Sequence, residues 1–175
     1  MRYFNETDAQ KYAEKKSIIL ENCDINKTRF VSSTSSVFLS HSNKDEACLR
    51  GVIAFLKNFG ADVYIDLNDI TLPQKPSQET AKKLKEQIQK CSKVVVLVSE
   101  NSKDSKWIPW EVGIADMDKT SKKIALLPKT EYESAVWPAQ EYMGFYNPII
   151  NEYGCWYVRD VATNEKVSLE KWLRS

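Results

Sequence analysis

Residues 93–99 read Lys-Val-Val-Val-Leu-Val-Ser, the most apolar run in the chain. A strand with one face in water alternates apolar and polar residues. An unbroken Val/Leu run is the pattern of a strand in the middle of a parallel sheet, covered on both faces by helices. The surrounding sequence supplies the other parts. Val37–Ser40, Val63–Asp66, Ile124–Leu127 and Cys155–Val158 read as four further strands, and longer stretches of helical periodicity separate the first of them. The order is strand-helix three times, then a strand, an irregular stretch, a last strand and a last helix. That order predicts an α/β fold built on a flavodoxin-like, doubly wound, five-stranded parallel sheet.

The helix signals are local. Ser42 and Asp45 form a Ser-x-x-Asp capping box ahead of Leu49, Val52, Ile53 and Leu56, and Gly60 closes that helix. Residues 77–91 carry a narrow stripe of Leu84, Ile88 and Cys91. Residues 107–118 follow Ser105 as cap, with Pro109 tolerated in the first turn, and residues 168–173 make a short last helix. Ahead of the first strand, Thr7 and Gln10 read as a capping box for a helix over 7–22, with Tyr12, Ile18, Ile19 and Leu20 on its apolar side, before an irregular polar stretch. The chain therefore divides into an N-terminal helical arm, residues 1–35, and a main domain, residues 36–175. The arm docks either on its own domain or on a partner.

Composition removes whole classes of function. A length of 175 residues leaves room for one domain and a short appendage, with no space for a separate sensor or effector domain. Lys plus Arg number 25 and Asp plus Glu 24, for a net charge of +1, so the cationic pull of nucleic-acid binders and of anionic-membrane binders is missing. No apolar run of about 18 residues and no secretory leader is seen, and the expected location is the cytoplasm. Cys23, Cys48, Cys91 and Cys155 are widely spaced, with His41 as the one histidine, which fits neither a metal site nor a disulfide framework. There is no Gly-x-x-x-x-Gly-Lys-Ser/Thr, and the five glycines cannot make Gly-x-Gly-x-x-Gly. A Ser-His-Asp triad would have to use His41, whose neighbouring serines share its own turn, and no nucleophile elbow is present.

In a doubly wound sheet, ligands sit outside the carboxyl ends of the strands, where 40–44, 66–75 and 99–107 are expected as loops. Within 99–111, Trp107 and Glu111 stand four residues apart, so a helix sets an aromatic plate and a carboxylate on one face at that edge. Spacing alone leaves two readings open. The pair is a ligand site, or Trp107 and Trp110 anchor the core and Glu111 is solvated or paired with Lys106.

Four blocks in order settle on a family: 36–45 (Ser-Val-Phe-Leu-Ser-His-Ser-Asn-Lys-Asp), 63–70 (Val-Tyr-Ile-Asp-Leu-Asn-Asp-Ile), 94–99, and 105–111 (Ser-Lys-Trp-Ile-Pro-Trp-Glu). Together they resemble the Toll/interleukin receptor (TIR) domain of bacterial type, over roughly residues 36 to 127. The resemblance implies that the glutamate of a Trp-x-x-x-Glu motif, here Glu111, is the catalytic residue of an enzyme breaking the nicotinamide–ribose bond of NAD+. Nicotinamide leaves NAD+ neutral, so one carboxylate suffices where ordinary glycoside hydrolysis needs two. By the same resemblance Trp107 stacks on substrate, Ser40, His41, Phe38 and Ser105 line the nucleotide pocket, and Asp66 and Asp69 lie on the loop that covers it and mediates self-assembly. Relatives often carry Pro-Gly in that loop, whereas this chain has Pro73 and Pro76 and no glycine there.

The resemblance thus implies a stand-alone TIR enzyme with NAD+ as substrate, no cofactor and no metal. It would release nicotinamide and either ADP-ribose or a cyclic isomer, as in Thoeris-type antiphage systems, self-associate, and signal to a separate effector or sensor protein. Two other classes stay open at this point. A non-catalytic interaction module would tolerate Glu111→Gln, and a nucleoside deoxyribosyltransferase would exchange bases and ignore NAD+.

Overall fold

A computed structural model describes residues 1–16, 35–65, 78–131 and 141–175. Its strands are β1 (Phe4–Asn5), β2 (Ser35–Ser40), β3 (Ala61–Tyr64), β4 (Lys93–Val98), β5 (Ile124–Thr130), β6 (Asn147–Glu152), β7 (Cys155–Arg159) and β8 (Lys166–Ser168). The helices are α1 (Glu6–Lys16), α2 (Glu46–Asn58), α3 (Gln78–Lys90), α4 (Trp107–Asp118) and α5 (Leu169–Arg174). One sheet runs β3-β2-β4-β5-β6-β7-β8, with β1 attached to β5.

The five strands β3-β2-β4-β5-β6 are parallel, which is the doubly wound sheet expected from the sequence. β4 lies third among them and all six of its residues are buried. Val94, Val96 and Val98 point into one core with Phe38, Ile124, Leu126 and residues of α3 and α4. Val95 and Leu97 point into the other with Val37, Leu39, Ala125, Leu127 and residues of α1, α2 and α5. Successive strand residues face opposite ways, so two cores demand two apolar faces, and the unbroken run follows. Each fully buried Val or Leu stabilises the fold by roughly 1.5–3 kcal/mol.

The far edge departs from expectation. The fifth parallel strand is β6, with Ala125 opposite Asn147, whereas Cys155–Arg159 is antiparallel to β6 and followed by antiparallel β8. Tyr153 and Gly154 join β6 to β7 with φ of 51° and 82°. Two left-handed residues in succession make the tight turn whose twist suits a hairpin.

Two predicted caps are also replaced. The first helix begins at Glu6, and the box is made by Asn5 and Asp8 in place of Thr7 and Gln10. The Asp8 amide donates to Asn5 Oδ1 at 2.9 Å and the Asn5 amide to Asp8 Oδ2 at 3.2 Å. Ile18, Ile19 and Leu20 lie outside the described residues. Ser42 makes no side-chain cap, because Asn43–Asp45 forms a short 3-10 turn and α2 starts one residue later. Gly60, at φ 92°, follows α2 as expected, its amide donating to the Lys57 carbonyl at 3.0 Å.

The described part of the arm lies on the domain itself. Phe4 is fully buried against Phe55, with ring centroids 5.0 Å apart, and β1 runs parallel to the end of β5. α1 crosses α2 where Ala9 meets Gly51, so closely that a Cβ on Gly51 would lie 2.2 Å from the Ala9 carbonyl oxygen. No helix among the described residues is long and apolar enough to cross a membrane.

Candidate active site

β2 and β4 run parallel with Ser40 opposite Val96, so both end at the same edge of the sheet. The two loops that leave them are tied together by Asp45, a buried residue. Its carboxylate accepts from Ser99 Oγ at 2.7 Å and from Asn101 Nδ2 at 2.8 Å. A charge-assisted pair of this kind fixes backbone that would otherwise drift. The end of β2 at Ser40, with His41 and Ser42 after it, is thereby held against the β4 loop that leads into α4.

α4 starts where the sequence places it, with Ser105 Oγ accepting from the Ile108 amide at 3.3 Å. Glu111 is one turn beyond Trp107. It turns inward and is only 3% exposed, so the solvated alternative does not hold. A buried carboxylate without hydrogen-bond donors would cost several kcal/mol, by order of magnitude. Ser40, at 1% exposure, meets that need: its hydroxyl donates to Glu111 Oε2. A last strand residue and a helix carboxylate thus converge at the carboxyl edge.

Trp107 is half-buried, packs against the α3–α4 core and meets Trp110 edge-on, with ring centroids 5.3 Å apart. Phe38 lies under the same edge, 1% exposed, its ring stacked on Tyr64 at 5.8 Å and 25°. Phe38 is therefore core, with Tyr64, its register partner across the β2–β3 pair, the more exposed of the two rings. His41 is buried at 7% exposure, with Nδ1 3.3 Å from the Leu39 carbonyl oxygen. Of the predicted site residues, Ser40, Glu111, Trp107, Ser105, Phe38 and His41 lie on this edge or directly beneath it, while Asp66 and Asp69 fall outside the described residues. Tyr64, Asp45 and Ser99 escaped the sequence reading as site residues. The signal for Asp45 was present, but Ser42 three residues earlier made it read as a helix cap.

The titratable groups nearby are placed to stay quiet at neutral pH. Burial pushes the Cys48 thiol up to about 11, and the thiol donates to the Asp45 carbonyl at 3.2 Å. At the opposite edge of the sheet, just ahead of β4, burial likewise pushes Cys91 up to about 12. Neither is a thiolate near neutrality. Tyr142, on the rim of the same core as Trp107, is raised by burial and then by Tyr146, so it stays a phenol. A buried carboxylate that accepts from a hydroxyl, one helical turn from an indole, is equipped to hold and stabilise a cationic centre.

The profile of the TIR domain family matches residues 37–141, more than half of the chain. The chain belongs to the TIR domain family. A curated TIR relative from Bacillus cereus (strain MSX-D12), named "Probable 3' cyclic ADP-D-ribose synthase ThsB'", is 36% identical over 148 residues, covering 82% of this chain and 71% of that protein. Both matches include the edge formed by β2, β4 and α4 of this TIR domain.

Proposed function

We propose that this TIR domain cleaves the nicotinamide–ribose bond of NAD+, with Glu111 as the catalytic residue. The observation that carries the reading is the placement of Glu111: a buried carboxylate in a Trp-x-x-x-Glu helix, held by Ser40 at the ligand edge of the sheet. In the reaction the C–N bond between ribose and nicotinamide breaks, and the pyridinium takes the bonding pair and leaves neutral. The ribose carbon becomes an oxocarbenium, which the Glu111 carboxylate stabilises. Trp107 stacks on a substrate ring and Tyr64 closes the adjoining wall. NAD+ is consumed as substrate; it is not a cofactor.

The fate of the ADP-ribosyl cation depends on what reaches it. Water gives ADP-ribose, and an internal hydroxyl or adenine nitrogen gives a cyclic isomer. The name of the Bacillus relative, a cyclic ADP-ribose synthase, favours the cyclic product. A cyclic nucleotide made in one step from an abundant dinucleotide is suited to signalling, so we place the chain in bacterial antiphage defence, self-associating to act and read out by a separate effector protein.

The test is purified full chain with NAD+, alone and under forced clustering, followed by nicotinamide release and by mass spectrometry of the second product, with Glu111→Gln alongside. Release that disappears in Glu111→Gln supports the reading, and a product one water lighter than ADP-ribose assigns cyclisation. Equal release from the variant, or none from the clustered wild type, overturns it.

A further inference from the structure

A concave feature opens at the same end of the molecule. α3 follows β3 and α4 follows β4, so both helices start at the carboxyl edge of the parallel sheet and run down its face side by side. Their first turns enclose a groove of about 550 Å³ lined by Gln78, Glu79, Ala81, Lys82, Lys85 and Trp110. A volume of that order accommodates a mononucleotide-sized ligand.

The chemistry of the lining is selective. Trp110 is 37% exposed, an unusual position for a large indole, and its ring touches Trp107 edge-on at 5.3 Å. One face of the groove is therefore aromatic and continuous with the rim of the Glu111 site. Lys82 and Lys85, three residues apart, stand on one side of α3. Neither makes an ion pair or hydrogen bond among the described residues. The one carboxylate in the lining, Glu79, is held by Lys83 at 2.9 Å. Two ammonium groups with no partner among the described residues, beside an open indole, fit a ligand with adjacent phosphates and a flat base. An acidic peptide would use the lysines and leave the indole without a partner.

We propose that the groove formed by Trp110 with Lys82 and Lys85 is a nucleotide subsite that takes the adenosine-diphosphate half of the dinucleotide. The diphosphate lies between the two lysines and the adenine stacks on Trp110. The inference rests on the NAD+ reading above and deepens it: Glu111 acts on the nicotinamide riboside end, and the α3–α4 groove holds the other end.

The experiment uses the full chain in two arms. In the first, the indole NMR signal of Trp110, assigned with Trp110→Phe, is followed during titration with ADP-ribose, with adenosine and with an oligo-glutamate peptide. The signal is expected to move with ADP-ribose, less with adenosine, and ADP-ribose affinity is expected to fall about tenfold in Lys82→Gln/Lys85→Gln. In the second arm, the same double variant is expected to raise KM for NAD+ by a similar factor, with cleavage of nicotinamide riboside, which lacks both phosphates and the adenosine, as the internal comparison that does not change. An unmoved Trp110 signal, unchanged affinity in the double variant, or an equal response to oligo-glutamate overturns the subsite. Because the first arm needs no turnover, a silent enzyme with a responsive Trp110 rejects the NAD+-cleaving reading and keeps the groove, and an active enzyme with a silent Trp110 does the reverse.

Discussion

The hydroxyl of Ser40, the last residue of β2, donates a hydrogen bond to the carboxylate of Glu111, 71 residues further along the chain. Both are almost fully buried, so the contact is made in a low-dielectric setting where a hydrogen bond to charge is strong. It aims the carboxylate toward the end of the sheet. Ser40→Ala is expected to lower kcat for nicotinamide release about tenfold, roughly 1.4 kcal/mol of barrier, with KM changed little. Ser40→Thr, which keeps the hydroxyl, is expected to recover most of the rate. Steady-state kinetics on the two variants, with thermal denaturation as a control for folding, check this. A loss confined to KM would instead make Ser40 a direct substrate contact.

How far such a contact can be read from sequence depends on whether its cause is local. β4 was legible because two buried faces leave an unmistakable apolar run, and α4 because Ser105, Pro109 and the Trp107–Glu111 spacing all act within two turns. β6 was not. It opens with Asn147-Pro148 and carries Asn151, residues that read as loop, yet Asn147 Oδ1 accepts from the Val161 amide at 3.1 Å and Asn151 Oδ1 from Gly154 at 3.3 Å. The partner of Asn147 lies 14 residues on, outside a short window of sequence, and that of Asn151 lies in the β6–β7 turn, which exists only once the hairpin has paired. β1 is too short to show a period. The site followed the same rule: the Glu111 and Ser40 positions were visible, while the bond between them, and the role of Asp45 across two loops, required the fold.

Asp45 is expected to behave as a clamp. Asp45→Ala leaves the Ser99 hydroxyl and the Asn101 amide without their acceptor in a largely buried setting, at a cost of about 2 kcal/mol in unfolding free energy. Ser99→Ala removes one of the two donors. A double-mutant cycle by chemical denaturation checks the coupling: the two losses are expected to fall short of additivity by about 1 kcal/mol, since each variant breaks the same bond.

Gly51 sits in the middle of α2, where alanine would ordinarily gain about 1 kcal/mol in helix propensity. In this fold the sign reverses. The added methyl would press on the Ala9 carbonyl oxygen at 2.2 Å and on two further Ala9 backbone atoms at 2.7 Å, none of which can swing aside. Gly51→Ala is therefore expected to destabilise by about 2 kcal/mol, as overpacking does, or to lift α1 off α2. Hydrogen exchange separates the two: lost protection confined to residues 1–16 reports undocking, and a uniform loss reports global destabilisation.

Lys93 begins β4 at the opposite edge of the sheet and is 2% exposed, with Nζ donating to Ser175 Oγ at 3.0 Å and lying 5.1 Å from the centre of the Trp172 ring. Burial, and then the nearby Lys123, lower its pKa from the ordinary value. Between that lowered folded value and the unfolded value near 10.4, the unfolded chain binds more protons than the folded one, so stability rises with pH across the window. Below it, the full cost of a buried ammonium is present. Lys93→Met keeps the length of the side chain and removes the charge. The variant is expected to be at least as stable as the wild type at pH 7, with its margin shrinking as pH climbs through the window. Denaturation midpoints measured for both proteins from pH 7 to about 10 check the sign, because tyrosine ionisation is common to both and cancels in the difference. A margin that widens with pH would mean that the Ser175 and Trp172 contacts outweigh the burial of the charge.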